Sequence, residues 1–321
     1  MVPDAPLDRF RTDLDALIAP GEPLGIAVSG GPDSLALLLL AAVARPGEIE
    51  AATVDHGLRP GSRAEAEQVG DICVRLGVPH TILGIEWDVP PSSAIQEQAR
   101  EVRYDTLDEW MQARSLASVA TAHHLDDQAE TMVMRLKRGS GVRGLSGMRP
   151  LASVPGHPDL NLLRPLLGWR RSELEEICAA AGIDPISDPS NADEKYERVR
   201  IRRAVEEADW LDPKALARSA ANLADADDAV EWAAALEWTR YTRFNEGEIT
   251  YRPSRAPVEI LRRLVARAVK ELGTEGVPED LRGRELDRLI ADLQAGRTTT
   301  LRGVRCQGGR DWRFTPAPAR R

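Results

Sequence analysis

Leu24-Gly25-Ile26-Ala27-Val28 runs into Ser29-Gly30-Gly31-Pro32-Asp33-Ser34, and a long apolar stretch, residues 35–44, follows. The first run reads as a buried strand and the last as its helix. Between them lies a turn suited to an anion. Glycine lets the backbone approach an anion closely, and the first amides of the following helix point toward it. Ser29 and Ser34 add hydroxyl donors. No Gly-Lys-Ser/Thr follows, so no loop lysine reaches a γ-phosphate. A site of this kind suits a pyrophosphate leaving group better than γ-phosphoryl transfer.

Outward from this turn, short apolar runs alternate with longer amphipathic ones. Strands are expected at 49–54, 81–85, 119–122 and 160–167, with helices over 62–76, 94–114, 126–138 and 172–181, the last ending at Gly182. That alternation is the pattern of an α/β domain with a parallel sheet. The glycine-rich stretch Gly139, Gly141, Gly144, Gly147 reads as a flexible connector, and 184–196 as an ordered loop. From Pro213 the style changes to alanine-rich helices (213–238, 257–272, 278–293) and a short β-like tail. A boundary near Leu211 gives two domains, 1–210 and 211–321, the second smaller and mostly helical.

The bulk properties narrow the function classes. Hydrophobic residues at 42% and charged residues at 29% of 321 are those of a globular protein. The longest apolar run is half the roughly 20 residues needed to cross a bilayer, and the N-terminus lacks a basic leader, so neither a membrane span nor a secretory signal is expected. Cys73, Cys178 and Cys306 are isolated, which argues against a disulfide framework or zinc ribbon and fits a reducing cytoplasm. A net charge of −9 argues against a blanket nucleic-acid binder. Basic residues are nonetheless segregated: Arg135, Lys137, Arg138, Arg143 and Arg149, then Lys195, Arg198, Arg200, Arg202 and Arg203. Such clusters permit a basic face on an acidic chain.

A second chemical cluster is Ala120-Thr121-Ala122-His123-His124-Leu125-Asp126-Asp127-Gln128-Ala129-Glu130-Thr131, a strand end running into a helix. His123 and Asp127 are four apart, Asp127 and Glu130 three, so they can share a face. Carboxylates beside a triphosphate can hold Mg²⁺, the histidines can contact phosphate or ribose, and Asp126 can cap the helix.

The six residues 29–34 match SGGxDS, the signature of the PP-loop ATP pyrophosphatases, and the resemblance implies the adenine nucleotide alpha hydrolase-like fold and cleavage of ATP between the α- and β-phosphates. Further segments resemble the lysidine synthetase family: Val54-Asp55-His56-Gly57-Leu58-Arg59, Arg100-Glu101-Val102-Arg103-Tyr104, the 120–131 cluster, the 138–148 glycine-rich stretch, Arg164-Pro165-Leu166-Leu167 followed by Arg170 and Arg171, Asp188-Pro189-Ser190-Asn191, and Arg198-Val199-Arg200-Ile201-Arg202. Val199 stands where the family pattern has Asn. The resemblance covers residues 20–205.

It implies ATP on Ser29, Gly30, Gly31, Pro32, Asp33 and Ser34 with Asp55 and His56, and Mg²⁺ on Asp33 and Asp127. Asp33, Arg103, His123, Asp127 and Arg202 are its implied catalytic residues, and Arg138, Arg143, Arg198 and Arg200 its implied contacts to tRNA or lysine. The implied partners are tRNA(Ile) with a CAU anticodon, L-lysine and a second copy of the chain; the implied reaction ligates lysine to the wobble cytidine through an adenylate. A thiolase of the same superfamily would need paired cysteines, an amide or nucleotide synthetase would not need the basic segments, and a non-catalytic nucleotide sensor would be expected to lose Asp33, Asp126 and Asp127.

Overall fold

The computed structural model describes residues 2–57, 61–85, 87, 95–186, 195–273, 281 and 283–318. The chain divides into two compact units, Met1–Leu223 and Ala224–Arg321.

In the first unit the elements run α1 (Asp4–Asp15), β1 (Leu24–Ala27), α2 (Pro32–Ala44), β2 (Ile49–Asp55), α3 (Ser62–Leu76), β3 (His80–Gly84), α4 (Ile95–Ala113), β4 (Ser118–Ala120) and α5 (Leu125–Lys137). Then come α6 (Val142–Leu145), β5 (Leu151–Val154), β6 (His157–Leu163), α7 (Arg171–Ala181), α8 (Glu197–Glu207) and the start of α9 (Pro213–Tyr241). The sheet order is β3-β2-β1-β4-β6-β5. All pairs are parallel except β5 with β6. The expected strands and helices are present within a few residues. The hairpin strand β5, helix α1 and helix α8 are additional.

Consecutive residues of a strand face opposite sides, and the two cores follow that rule. Ala51, Ala120 and Leu163 join a core with α1, α2, α3 and α7, whereas Ala52, Val119 and Leu162 join one with Tyr104, Leu107, Trp110 and Met111 of α4. The sheet is therefore covered on both faces. Helix α2 is buried throughout Ser34–Ala41, which is why its sequence is apolar all round rather than striped. On β1, Gly25 lets α4 close in, since a Cβ there would lie 2.8 Å from the Trp110 ring.

The chain leaves β1 for β2 and β3 on one side, then returns to place β4 on the other side of β1. This reversal opens a crevice at the carboxyl ends of β1 and β4, where open α/β sheets bind ligands. The 29–34 turn follows β1, and His123 and His124 follow β4.

The second unit carries the rest of α9, then β7 (Thr242–Asn245), β8 (Glu248–Tyr251), α10 (Val258–Leu272), α11 (Arg284–Gln294), β9 (Thr298–Leu301), β10 (Val304–Gln307) and β11 (Trp312–Pro316). Its strands form an antiparallel sheet in the order β7-β8-β11-β10-β9, larger than the short β-like tail read from the sequence. Ile249, Tyr251, Val304, Cys306, Trp312 and Phe314 bury one face of that sheet against α10 and α11. The division between units falls within α9 rather than near Leu211. Among the described residues, no helix is long and apolar enough to cross a membrane.

Gly30 sits at φ +85°, and a Cβ there would lie 2.5 Å from Ile186 Cδ1, whose backbone amide donates to Gly30 O (2.9 Å). Gly31 has φ −71°, and the nearest atom to a Cβ is Ser29 Oγ at 3.8 Å. Gly30→Ala is thus expected to lower stability by about 1–3 kcal/mol, whereas Gly31→Ala should leave it unchanged or raise it by up to about 1 kcal/mol. Denaturant unfolding of both variants checks this, and equal losses would contradict it. If the turn is an anion cradle, Gly31→Ala should still weaken nucleotide binding.

Candidate active site

The 29–34 turn is held by its own serines. Ser34 Oγ donates to Gly31 O (3.0 Å) and accepts from Ser29 N (3.1 Å) and Ser29 Oγ (3.2 Å). Ser34 is buried and its proton is committed to closing the turn, leaving the backbone amides and the exposed Ser29 on the crevice side. Pro32 stands in the first turn of α2, where its missing N–H costs nothing. Asp33 follows it at the positive end of the helix, and its Oδ1 is buried with no hydrogen-bond partner.

Across the crevice, His124 is 1% exposed and faces three carboxylates. Its Nε2 lies 3.6 Å from both Asp33 and Asp127, and its Nδ1 lies 3.6 Å from Asp126. At that separation these are ion pairs rather than hydrogen bonds. Burial alone would lower the imidazole pKa, but Asp126, Asp33 and Asp127 outweigh it and push the pKa up to about 10. His124 is therefore a buried cation joining the phosphate turn to α5.

Asp127 accepts from the His124 amide (3.0 Å) and from Arg198 Nη2 (2.6 Å). Burial would raise its pKa, yet the charges of His124, Arg198 and His123 hold it below the ordinary carboxylate range. Glu130, one turn further along α5 and 2% exposed, accepts from Arg198 Nε (2.7 Å) and Arg202 Nε (2.6 Å). At the far end of α5, Lys137 and Arg138 hold Glu197 at 2.8 and 2.6 Å. Helix α8 is thus clamped along α5, and removing the arginine partners of the buried Glu130 strands its charge at a cost of about 3–5 kcal/mol.

Asp126 turns away from the crevice. It accepts from Arg170 Nε (3.0 Å) and from the Arg171 amide (2.8 Å), so it satisfies the N-terminus of the neighbouring helix α7 rather than that of its own. Burial would raise its pKa, but His124, the Arg171 amide and Arg170 bring it down to about 2.

Of the remaining expected residues, Asp55 and His56 stand at the end of β2 and His123 just after β4, while the arginines lie on helices. Asp55, at the end of β2, accepts from the Gly57 amide (3.0 Å). His56 is half-buried, and its Nδ1 is buried without a partner. Burial, then the charge of Arg103, lower its pKa to about 4 against the opposing effect of Asp55, so it acts as a neutral hydrogen-bonding group. Arg103 is exposed on α4. His123 Nδ1 pairs with Thr121 Oγ1 at 2.9 Å. Arg143 and Arg200 are exposed, and Arg200 Nη1 donates to Lys195 O (3.0 Å). Leu58, Arg59 and the 188–191 motif lie outside the described residues, as does the Arg100 side chain.

The glycine-rich stretch is pinned rather than loose. Gln128 donates to Met148 O and accepts from Met148 N, both at 2.7 Å, and Arg135 donates to Gly144 O and Gly147 O. Gly147 has φ +69°, and a Cβ there would lie 2.5 Å from Gln128 Oε1. The flexible connector expected from its glycines therefore contains the short helix α6; Gly144 and Gly147 serve close packing, whereas a Cβ at Gly139 or Gly141 would meet open space. The sequence marks Arg170 only as part of a family-like stretch, without its partner Asp126, and does not single out Trp169. The Trp169 carbonyl accepts from the Leu125 amide (2.8 Å) at the start of α5, and its indole donates to Asp13 (2.8 Å).

A turn after the first strand, a charged cluster after the fourth, and a sheet reversal between them define a PP-loop nucleotide-binding enzyme. A family model described as a PP-loop domain matches residues 7–208. The tRNA(Ile)-lysidine synthase of Novosphingobium aromaticivorans is 47% identical over 315 residues, covering 98% of this chain and 94% of its own. That of Zymomonas mobilis is 44% identical over 300 residues, covering 93% and 89%. The chain belongs to the tRNA(Ile)-lysidine synthase family, and it is a ligase-type enzyme. Among solved structures, the U34-tRNA thiolase NcsA from Methanococcus maripaludis shares the fold, with a TM-score of 0.55 at 16% identity over 68% of this chain and 76% of that one.

The His124 pKa gives a pH dependence of definite sign. Below its ordinary value of 6.5 the imidazole is charged in both folded and unfolded chains, and its full stabilisation is present. Between 6.5 and about 10 the folded state keeps a proton that the unfolded state has released, so stability falls as pH rises and the contribution is gone above 10. Unfolding free energies measured across this window should decline in the wild type and decline less in His124→Gln. Parallel curves would show that His124 is not the charged group.

Proposed function

We propose that this chain ligates lysine to the wobble cytidine of the CAU anticodon of tRNA(Ile), through an adenylated cytidine, releasing diphosphate and then AMP. The observation carrying this reading is the convergence, at one sheet reversal, of a lysine-free phosphate turn with the His124, Asp127, Glu130, Arg198 and Arg202 cluster. ATP lies with its phosphates over the amides of Gly30, Gly31, Asp33 and Ser34 at the N-terminus of α2. His56, being neutral, offers the nucleotide a hydrogen bond rather than a charge.

The residues present fit a magnesium ion, because Asp33 Oδ1 is a buried carboxylate oxygen with no partner. Mg²⁺ is commonly held by one or two carboxylates plus substrate phosphates, so Asp33 with Asp127 would suffice, and the ion would neutralise charge on the leaving diphosphate. The cytosine carbonyl oxygen attacks the α-phosphorus and the bond to the β-phosphate oxygen breaks. The ε-amine of lysine then attacks the activated ring carbon, and AMP leaves with the carbonyl oxygen. A lysine ε-amine is an ammonium at neutral pH, and a crevice carboxylate not engaged by the ion can take its proton.

Arg103 and the α8 arginines offset the negative charge that develops around the α-phosphorus. Arg198 and Arg202 reach this role already fixed by Glu130, which removes the entropy cost of ordering them on substrate. The exposed Arg138, Arg143 and Arg200 offer phosphate contacts to RNA, and the second unit offers further surface. Cys73, Cys178 and Cys306 are buried and free. That disfavours a sulfur-transferring relative, which needs paired reactive thiols.

Purified protein mixed with ATP, Mg²⁺, tRNA(Ile) transcript and labelled lysine should release AMP and place label on the RNA. Asp33→Ala and Asp127→Ala should each reduce incorporation at least a thousandfold, the scale of losing a transition-state electrostatic partner of about 4 kcal/mol. Turnover close to wild type in either variant would remove that residue from the mechanism.

A further inference from the structure

Helix α1 stands before the first strand, and its inner face, Leu7, Phe10 and Leu14, is spent on the core. Arg9 and Asp13 of the same helix, one turn apart, both reach a short corner, Gly168-Trp169-Arg170, that leads into α7. Arg9 Nη2 donates to Gly168 O (2.7 Å), Arg9 Nη1 donates to Glu173 Oε1 (2.8 Å), and the guanidinium lies 4.1 Å over the Trp169 ring. Asp13 accepts from the Trp169 indole (2.8 Å), and Glu173 uses its other oxygen to accept from the Arg170 amide (2.7 Å). Trp169 itself is 1% exposed. Its ring and the peptide groups on either side of it are thus fixed from α1 and α7.

The corner in turn holds the start of α5. A helix leaves its first four amides without partners of its own. Leu125, the first residue of α5, donates its amide to Trp169 O (2.8 Å), and Asp126, the second, is gripped by Arg170 Nε (3.0 Å) and the Arg171 amide (2.8 Å). Asp127 follows directly, and it and Asp33 both lie 3.6 Å from His124 Nε2. A displacement of the first turn of α5 would therefore move Asp127 against Asp33. The Arg9 and Asp13 side chains are 40% and 38% exposed, and ion pairs at such exposure add little to global stability. What they supply is placement, and a reacting constellation misplaced by about 1 Å loses up to roughly a hundredfold in rate.

We infer that Trp169 is a positioning residue for the reaction, holding the first turn of α5 through its carbonyl, with Arg9 and Asp13 of α1 as the groups that fix it. The three act through Leu125 and Asp126 and not on substrate. The inference rests on the ligase reading above, because the proposed chemistry is what requires Asp127 in place.

The test uses the full chain, with amide hydrogen exchange and steady-state lysine incorporation measured side by side. In Arg9→Gln/Asp13→Ala the Leu125–Glu130 amides should exchange roughly tenfold faster, while those of β2 keep their wild-type rates. The same variant should lose roughly tenfold in kcat with KM for ATP and lysine unchanged. Trp169→Phe, which keeps an apolar ring and removes the indole donor, should move both readouts in the same direction. The exposed pair of the first variant covers failure of this buried one to fold. Arg11→Gln, an equal change of charge on α1 away from the corner, should behave as wild type. Wild-type exchange at 125–130 in the double variant, faster exchange there with an unchanged kcat, or an equal rise in β2 overturns the inference and leaves the ligase reading standing. A wild-type protein that incorporates no lysine overturns the ligase reading, and the exchange measurement, which needs no substrate, still decides whether the corner holds α5.

Discussion

Negative charge gathered in a nearly dry corner must be neutralised, and the first unit is arranged around that requirement. Asp33, Asp126 and Asp127 stand in the first turns of α2 and α5, where helix dipoles help but do not suffice, and Glu130 lies a turn further along α5. The balance comes from His124, kept as a buried cation, and from Arg170, Arg198 and Arg202, each brought from far along the chain. Each carboxylate thereby acquires a separate task. Asp126 orders α7, Glu130 orders α8, Asp127 is fixed between His124 and Arg198, and Asp33 alone keeps a buried oxygen without a partner.

The phosphate turn depends on the same economy of placement. Gly30 supplies the left-handed backbone angle that carries the chain from β1 into α2, and Ser29 and Ser34 lock the turn. Because α2 is buried almost all round, its N-terminus cannot drift, and the amides it presents are set by the hydrophobic core rather than by any ligand. Amides fixed in this way would meet a triphosphate without reorganising, as the proposed reaction needs.

Much of this was legible along the chain because it is local. The 24–44 strand-turn-helix run needed only periodicity and two glycines, and the 120–131 cluster only the spacing of its histidines and acids. What escaped is what the fold joins across long intervals: Arg170 on Asp126, Trp169 on the start of α5, Gln128 on Met148. The glycine-rich stretch misled for a physical reason, since glycine serves close packing as well as mobility, and Gly147 is present because Gln128 Oε1 occupies the space of a side chain. The hairpin β7–β8 was missed because Thr242–Asn245 is short and, Phe244 apart, polar, leaving almost no alternation to read.

In the proposed reaction the turn after β1 holds a nucleotide whose α-phosphorus faces the His124 and Asp127 cluster. A crystal of the full chain grown with Mg²⁺ and an ATP analogue carrying a methylene bridge between the α- and β-phosphates tests it most directly. The β- and γ-phosphates should lie on the amides of Gly31, Asp33 and Ser34, with the α-phosphorus open toward Asp127 and the α8 arginines. A nucleotide seated away from this crevice, or bound with its γ-phosphate facing that cluster, would contradict it.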